Sequence, residues 1–139
     1  MAKTTIHLTD EDAISLVVTL DMMRPTLDDQ HGRGFFATTP FQVVRAKFPI
    51  DGDIFAPRPR EVHLTDIELG ALKAALDMNR WMSGGDTTNP PIYDKVMRAL
   101  EKRASTLVGR LSLSRAERRA DATGYFGLQA VITRLADRA

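Results

Sequence analysis

Apolar and polar positions alternate in two short stretches of the chain and recur at helical spacing almost everywhere else. Ile6 and Leu8 flank His7, and Val62 and Leu64 flank His63. Period two puts the apolar set on one face of a strand and the His on the other. Residues 4–8 and 61–64 are therefore predicted half-buried strands that can pair as a small ribbon. After each strand the period changes. Ala13, Ile14, Leu16, Val17, Val18 and Leu20 cover a wide arc of a helix over 10–23, which predicts burial on more than one side and a stop at Pro25. Leu69, Leu72, Ala75 and Leu76 form one face of a helix over 66–82, ended by Gly84 and Gly85. Phe41, Val44 and Phe48 mark a short helix with Thr39 as cap, Pro40 at its first position and Pro49 at its end. Val96, Leu100, Leu107 and Leu111 make the stripe of a longer helix over 91–111. Ser114 and Glu117 form a capping-box pattern that opens a further helix. Gly124 and Gly127 interrupt it, and Leu128, Val131, Ile132 and Leu135 belong to a last one.

The two strand-helix segments are copies of one pattern. IHLTDEDAISLVVTLDMMR (6–24) and VHLTDIELGALKAALDMNR (62–80) align without gaps and share nine identities in nineteen positions. The likeness continues more loosely: Thr38-Thr39-Pro40 recurs as Thr87-Thr88-Asn89-Pro90-Pro91, and Val44-Arg45-Ala46 as Met97-Arg98-Ala99. Each unit reads strand, helix, loop, helix. The expected architecture is a predominantly helical α+β domain built by tandem duplication, with an approximate internal twofold. Unit one spans 4–49, a linker 50–60, unit two 61–111, and C-terminal helices 114–138 cover an open side. A unit of about 50 residues is too small to cover its own apolar face, so the copies are expected to pack together.

The repeated HLTD is chiefly capping chemistry. Thr9 and Thr65 stand where a hydroxyl accepts a bond from the free N–H groups of the first turn. Thr65 with Glu68 completes a capping box, Leu64 and Leu69 fit its hydrophobic staple, and Asp10 and Asp66 place negative charge at the positive helix end.

Composition narrows the functional classes. The chain has 139 residues, no Cys and a net charge of +1, with 43% hydrophobic and 27% charged residues. Disulfides, thiolate catalysis and thiolate metal sites are excluded. No apolar run approaches the roughly 20 residues of a membrane span, and the start MAKTTIHLTDED lacks a signal-peptide pattern, which predicts a cytoplasmic location. The near-neutral total hides a polarity: residues 1–32 carry a net −4 and residues 95–119 a net +6.

Five groups of residues are candidates for chemistry. His7 and His63 could share a metal with Asp10, Asp66 or His31, since two imidazoles and a carboxylate suit zinc. The plainer reading places them on the outer face of the strands, and no metal or other cofactor is expected. Asp21 with Arg24, and Asp77 with Arg80, read as i,i+3 ion pairs that tie the following loop. The glycine-rich loop His31-Gly32-Arg33-Gly34-Phe35-Phe36 lacks the Lys-Ser/Thr of a P-loop. It reads as a surface loop whose Phe residues return to the core, or as a partner contact if they stay exposed. Trp81 is a candidate anchor for a protein partner. Arg98, Lys102, Arg103, Arg110, Arg115, Arg118 and Arg119 form a basic stretch that could lie on nucleic-acid phosphates, face solvent, or meet the acidic first unit of a second copy. No nucleophile elbow, zinc-protease motif or dinucleotide fingerprint is present.

Arg outnumbers Lys by 14 to 5. With the strand followed by an LTDxE cap, the chain resembles in style small proteins of high-GC bacteria and their phages. The resemblance implies an accessory or host-interacting protein encoded by a phage or mobile element. The expected function is thus non-enzymatic and acts through protein contacts, with His31, Arg33, Phe35, Phe36 and Trp81 as contact residues and a homodimer as one outcome. Nucleic-acid binding by the basic stretch is the alternative, and a His-dependent metal site a distant one. Thr65→Ala should lower stability by about 1 kcal/mol, read from urea unfolding, because it removes a helix cap.

Overall fold

The computed structural model describes residues 3–48, 60–82 and 91–123, with side chains as far as residue 79 in the second stretch and 116 in the third. Among the described residues two strands and five α-helices come in the order β1 (Thr4–His7), α1 (Asp10–His31), α2 (Pro40–Ala46), β2 (Glu61–Leu64), α3 (Asp66–Met82), α4 (Pro91–Ala104) and α5 (Leu107–Thr123). A 3-10 turn over Phe36–Thr38 leads into α2. The protein is a predominantly helical α+β structure. The linker 50–60 except Arg60, the glycine pair at 84–85 and the segment beyond Thr123 lie outside the described residues.

β1 and β2 pair antiparallel, with Ile6 opposite Val62 and His7 opposite Glu61. Ile6, Val62 and Leu64 are buried, while Thr5, His7, Glu61 and His63 face solvent. One buried face is what period-two alternation dictates, and it sets the register, because a one-residue slip would turn these apolar groups outward.

Both strands run into helices through capping boxes. The Asp12 N–H donates to Thr9 Oγ1 at 3.1 Å and the Thr9 N–H to Asp12 Oδ2 at 2.9 Å. The Glu68 N–H donates to Thr65 Oγ1 at 3.3 Å and the Thr65 N–H to Glu68 Oε1 at 2.9 Å. Asp12 thus serves at the third helical position of α1 as Glu68 does in α3.

α3 is the centre of the core. Leu69, Ala71, Leu72, Ala74, Ala75 and Leu76 are all buried, and α1, α2, α4 and α5 pack around the helix. Its small residues let neighbours approach from several sides. The expected contrast between the helices is therefore reversed: α3, not α1, is enclosed all round. α1 buries Ala13, Leu16, Val17, Leu20, Met23 and Leu27 but exposes Ile14, Val18 and Met22. Phe41, Val44 and Phe48 are buried as their spacing predicts, as are Val96 and Leu100. Each such large apolar side chain contributes about 1.5–3 kcal/mol.

Two predicted boundaries move. α1 continues through Pro25 to His31. Pro25 is exposed, so the carbonyl it displaces can turn to water, and buried Met23 and Leu27 on either side hold the helix to the core. The helix predicted over 91–111 breaks at Ser105-Thr106, so α5 already runs through the expected start at Ser114. The break rotates the buried stripe: Gly109, Leu113 and Ala116 face inward, while Leu107 and Leu111 are exposed. At this corner α5 approaches α4 so closely that a Cβ on Gly109 would lie 1.7 Å from the Arg103 carbonyl oxygen. Gly109→Ala should therefore lower stability by about 1–3 kcal/mol in urea unfolding, against the usual gain of alanine over glycine in a helix.

Candidate functional site

The outer face of the ribbon carries both repeated histidines. Thr5 Oγ1 and His63 Nδ1 are hydrogen-bonded at 2.8 Å. Glu61 lies between the two imidazoles, 3.7 Å from His7 Nδ1 and 3.4 Å from His63 Nε2. These are polar cross-strand and diagonal neighbours on a solvated face. Among the described residues no group of three His, Cys, Asp or Glu side chains is placed to hold a metal ion. His31 stands apart, at the far end of α1.

Behind the ribbon, both strand-to-helix junctions are held by lysines from elsewhere in the chain. Lys95 of α4 donates to the His7 carbonyl at 3.0 Å and pairs with Asp12 Oδ2. Lys47, just after α2, donates to the His63 carbonyl at 2.8 Å and lies 3.4 Å from Glu68. Burial alone would raise the Asp12 carboxyl, but the Lys95 ammonium and the Thr9 N–H and hydroxyl outweigh it and hold Asp12 below the ordinary value of 3.8. Asp66, at the start of α3, accepts two bonds from Arg103, at 3.0 and 2.8 Å, and one from the Ser112 hydroxyl. Lys73 is fully buried, paired with Asp77 one turn on and set 4.6 Å from the centre of the Tyr93 ring. Sequence reasoning passed over Lys73, although a lysine inside the apolar run GALKAAL was a visible signal. It had no signal for the Lys47 and Lys95 contacts, which join residues far apart in the chain.

These contacts divide the predicted basic stretch. Arg103 is committed to Asp66 at an internal joint. Arg110 is half-buried and its Nε is enclosed without a hydrogen bond among the described residues. Arg98 and Lys102 are exposed on α4 and Arg115 on α5. The side chains of Arg118 and Arg119 lie outside the described residues. Among the described cations of the stretch, Arg103 and Arg110 are thus drawn inward, while Arg98, Lys102 and Arg115 face solvent.

The loop after α1 closes the helix. Gly32, at φ +111°, donates its N–H to the Asp28 carbonyl at 2.8 Å, while the Asp28 carboxylate accepts the Phe36 N–H at 2.8 Å. Phe36 is fully buried, with the Arg24 guanidinium 4.8 Å from its ring centre, so it offers no surface to a partner, contrary to its place among the expected contact residues. Phe35 is half-buried with the His31 ring at 4.3 Å, and His31 and Arg33 are exposed. The Trp81 side chain lies outside the described residues. Nor does the expected i,i+3 pair of Asp21 with Arg24 form among the described residues. Asp21 pairs with Arg45 at 2.8 Å and Arg24 donates to Gln42 at 3.0 Å, both tying α1 to α2. Asp77 pairs with Lys73, and the expected pair of Asp77 with Arg80 lies outside the described residues.

The exposed apolar groups lie elsewhere. Ile14, Val18 and Met22 line one side of α1, Val43 is exposed on α2, and Leu107, Val108 and Leu111 are exposed on α5. No described helix is long and apolar enough to cross a membrane.

No family model matches the chain, and comparison with curated proteins and with solved structures likewise finds no match.

The Asp12–Lys95 pair gives a pH dependence of definite sign. A lowered folded-state value means that the stabilisation is present above the ordinary carboxylate range and is lost as the pH falls through the folded value. Lys95→Met should lower stability by about 1.5–3 kcal/mol near neutrality, and the difference from the unaltered protein should shrink as the pH falls below 3.8, checked by urea unfolding across pH.

Proposed function

We propose that this is a non-enzymatic binding protein that works through protein contacts, and that its first partner is a second copy of itself. One observation carries the reading: α1 presents Ile14, Val18 and Met22 to solvent on a face whose counterpart in α3 is covered. The repeat matches Asp10, Ile14 and Val18 to Asp66, Gly70 and Ala74. On α3 these three positions are buried, and Asp66 takes the Ser112 hydroxyl of the adjoining α5. On α1 the larger apolar Ile14 and Val18 stand where α3 has Gly70 and Ala74 and lie open, Val18 at 51% exposure.

The repeat itself we read as a tandem duplication with an approximate internal twofold. The ribbon register supports this, since Ile6 lies directly opposite Val62, the residue it matches in the repeat. A duplicated unit of this kind descends naturally from a self-associating ancestor.

The occupant of the α1 face is identified by complementarity. Glu11 and Asp29 bracket the stripe at helical spacing, and both are exposed. The outward side of α5 offers Leu107, Val108 and Leu111 with Arg115 beside them. An apolar stripe with acidic ends suits an apolar stripe with a basic one, in both contact and charge. In a twofold dimer each copy would lay α5 on the α1 of the other, which closes the assembly. Arg33 and His31 remain as rim contacts for a further partner, in keeping with the accessory role that the resemblance to small proteins of high-GC bacteria and their phages implies, and with a cytoplasmic location. For nucleic acid as the main partner the basic residues are poorly disposed, because Arg103 and Arg110 are drawn into the protein.

Light scattering after size exclusion should give twice the 15.4 kDa chain mass at high micromolar concentration. Val18→Asp and Leu111→Asp, both at exposed positions, should each give a folded monomer. Arg115→Glu should weaken the dimer, and Glu11→Arg with Asp29→Arg should restore it. A chain that stays monomeric throughout would overturn the reading.

A further inference from the structure

A groove of about 680 Å³ runs between β1 and α4, and its chemistry is one-sided. Lys3, Lys95, Arg98, Lys102 and Arg103 line it, and no Asp or Glu does among the described residues. Two of these cations are already matched, Lys95 by Asp12 and Arg103 by Asp66. Lys3, Arg98 and Lys102 have no carboxylate in ion-pair contact among the described residues, and all three are exposed. The groove therefore carries an unbalanced positive charge on a rigid frame. Lys95 and Arg103 are anchored behind it, and α4 is pinned to β1 through the His7 carbonyl.

The spacing selects the ligand. Lys95, Arg98 and Lys102 stand at i, i+3 and i+7, on one face of α4, and span about 10 Å along the helix axis at 1.5 Å per residue. Lys3 faces them from the start of β1. The wall between them is small, with Ala99 on α4 and the hydroxyl of Thr4 on the strand. Among the described residues no Phe, Tyr or Trp lines the groove, and its one ring is the small, exposed imidazole of His7, so it offers no broad platform for stacked nucleobases. We propose that this groove is an anion site that takes a short run of contiguous phosphates, as in a free linear polyphosphate or a nucleoside triphosphate tail, gripped by Lys3, Arg98 and Lys102. The site does not depend on the α1 and α5 stripes. A nucleic-acid backbone carries the same phosphate chemistry but spaces its charges more widely, and it gains most of its affinity from longer basic tracks.

The test is calorimetric titration of the full chain with inorganic tripolyphosphate, orthophosphate, a thymidine oligonucleotide and poly-aspartate, at low and moderate salt. Tripolyphosphate should bind with one site per chain, at least tenfold more tightly than orthophosphate or poly-aspartate. Arg98→Gln with Lys102→Gln should weaken it at least tenfold, while Arg33→Gln, on the exposed loop, should leave it unchanged. Thermal melts of both variants check that they fold. No binding of tripolyphosphate at low salt would overturn the proposal, as would equal binding of poly-aspartate or equal weakening by Arg33→Gln. Tighter binding of the oligonucleotide, lost in Arg98→Gln with Lys102→Gln, would assign the groove to a nucleic-acid backbone instead and overturn the free-polyphosphate reading.

Discussion

Two strand-to-helix junctions, at 7–12 and 63–68, each bring a carboxylate and a strand carbonyl together, and each is satisfied by a lysine from the other half of the chain. Lys95 reaches back to His7 and Asp12, and Lys47 reaches forward to His63 and Glu68. The carboxylates are already oriented, because each is also the acceptor of a capping box. Nearly enclosed carboxylates would be costly alone, so the ammonium groups are needed where they are. The ribbon, the helix starts and the packing of α2 and α4 thus depend on one another. A short two-stranded ribbon is marginal in isolation, and here the helices hold both its edges and its buried face.

The charge distribution has a matching logic. Acidic residues gather at helix starts, where the backbone dipole favours them, and basic residues are drawn toward them from α4 and α5. Asp66 draws Arg103 and Ser112 to the start of α3, and so sets the angle at which α5 leaves α4. Gly109 permits that angle by leaving room for the Arg103 carbonyl. Of the described cations outside these pairs, Lys3, Arg98 and Lys102 meet in the groove beside β1. Part of the described positive charge is thus internal framework, and part of it faces solvent.

The exposed apolar groups have a different origin. α1 and α3 share a cap and a hydrophobic pattern but differ at matched positions, Ile14 and Val18 against Gly70 and Ala74. Small residues allow α5 to settle against α3. The larger ones on α1 leave a surface that the described part of the chain does not cover. The same pattern thus serves once as core and once as surface.

Much of this was legible in the sequence because it depends on neighbours in the chain. Alternation around His7 and His63 dictated two strands with an outward His, the Thr-led caps dictated two helix starts, and Phe41, Val44 and Phe48 declared a buried stripe. Each of these comes from bond geometry and side-chain spacing over a few residues. The tertiary structure decided everything that joins distant residues. It enclosed α3 rather than α1, because four helices meet where the side chains are small. It carried α1 through Pro25, because that residue faces water while Met23 and Leu27 face the core. It broke the predicted 91–111 helix and turned Leu107 and Leu111 outward, and it buried Phe36. It also separated the cations of one basic stretch into those that hold the fold and those left facing solvent. Periodicity states which residues share a face, but only the packing of the whole chain determines which faces find a partner.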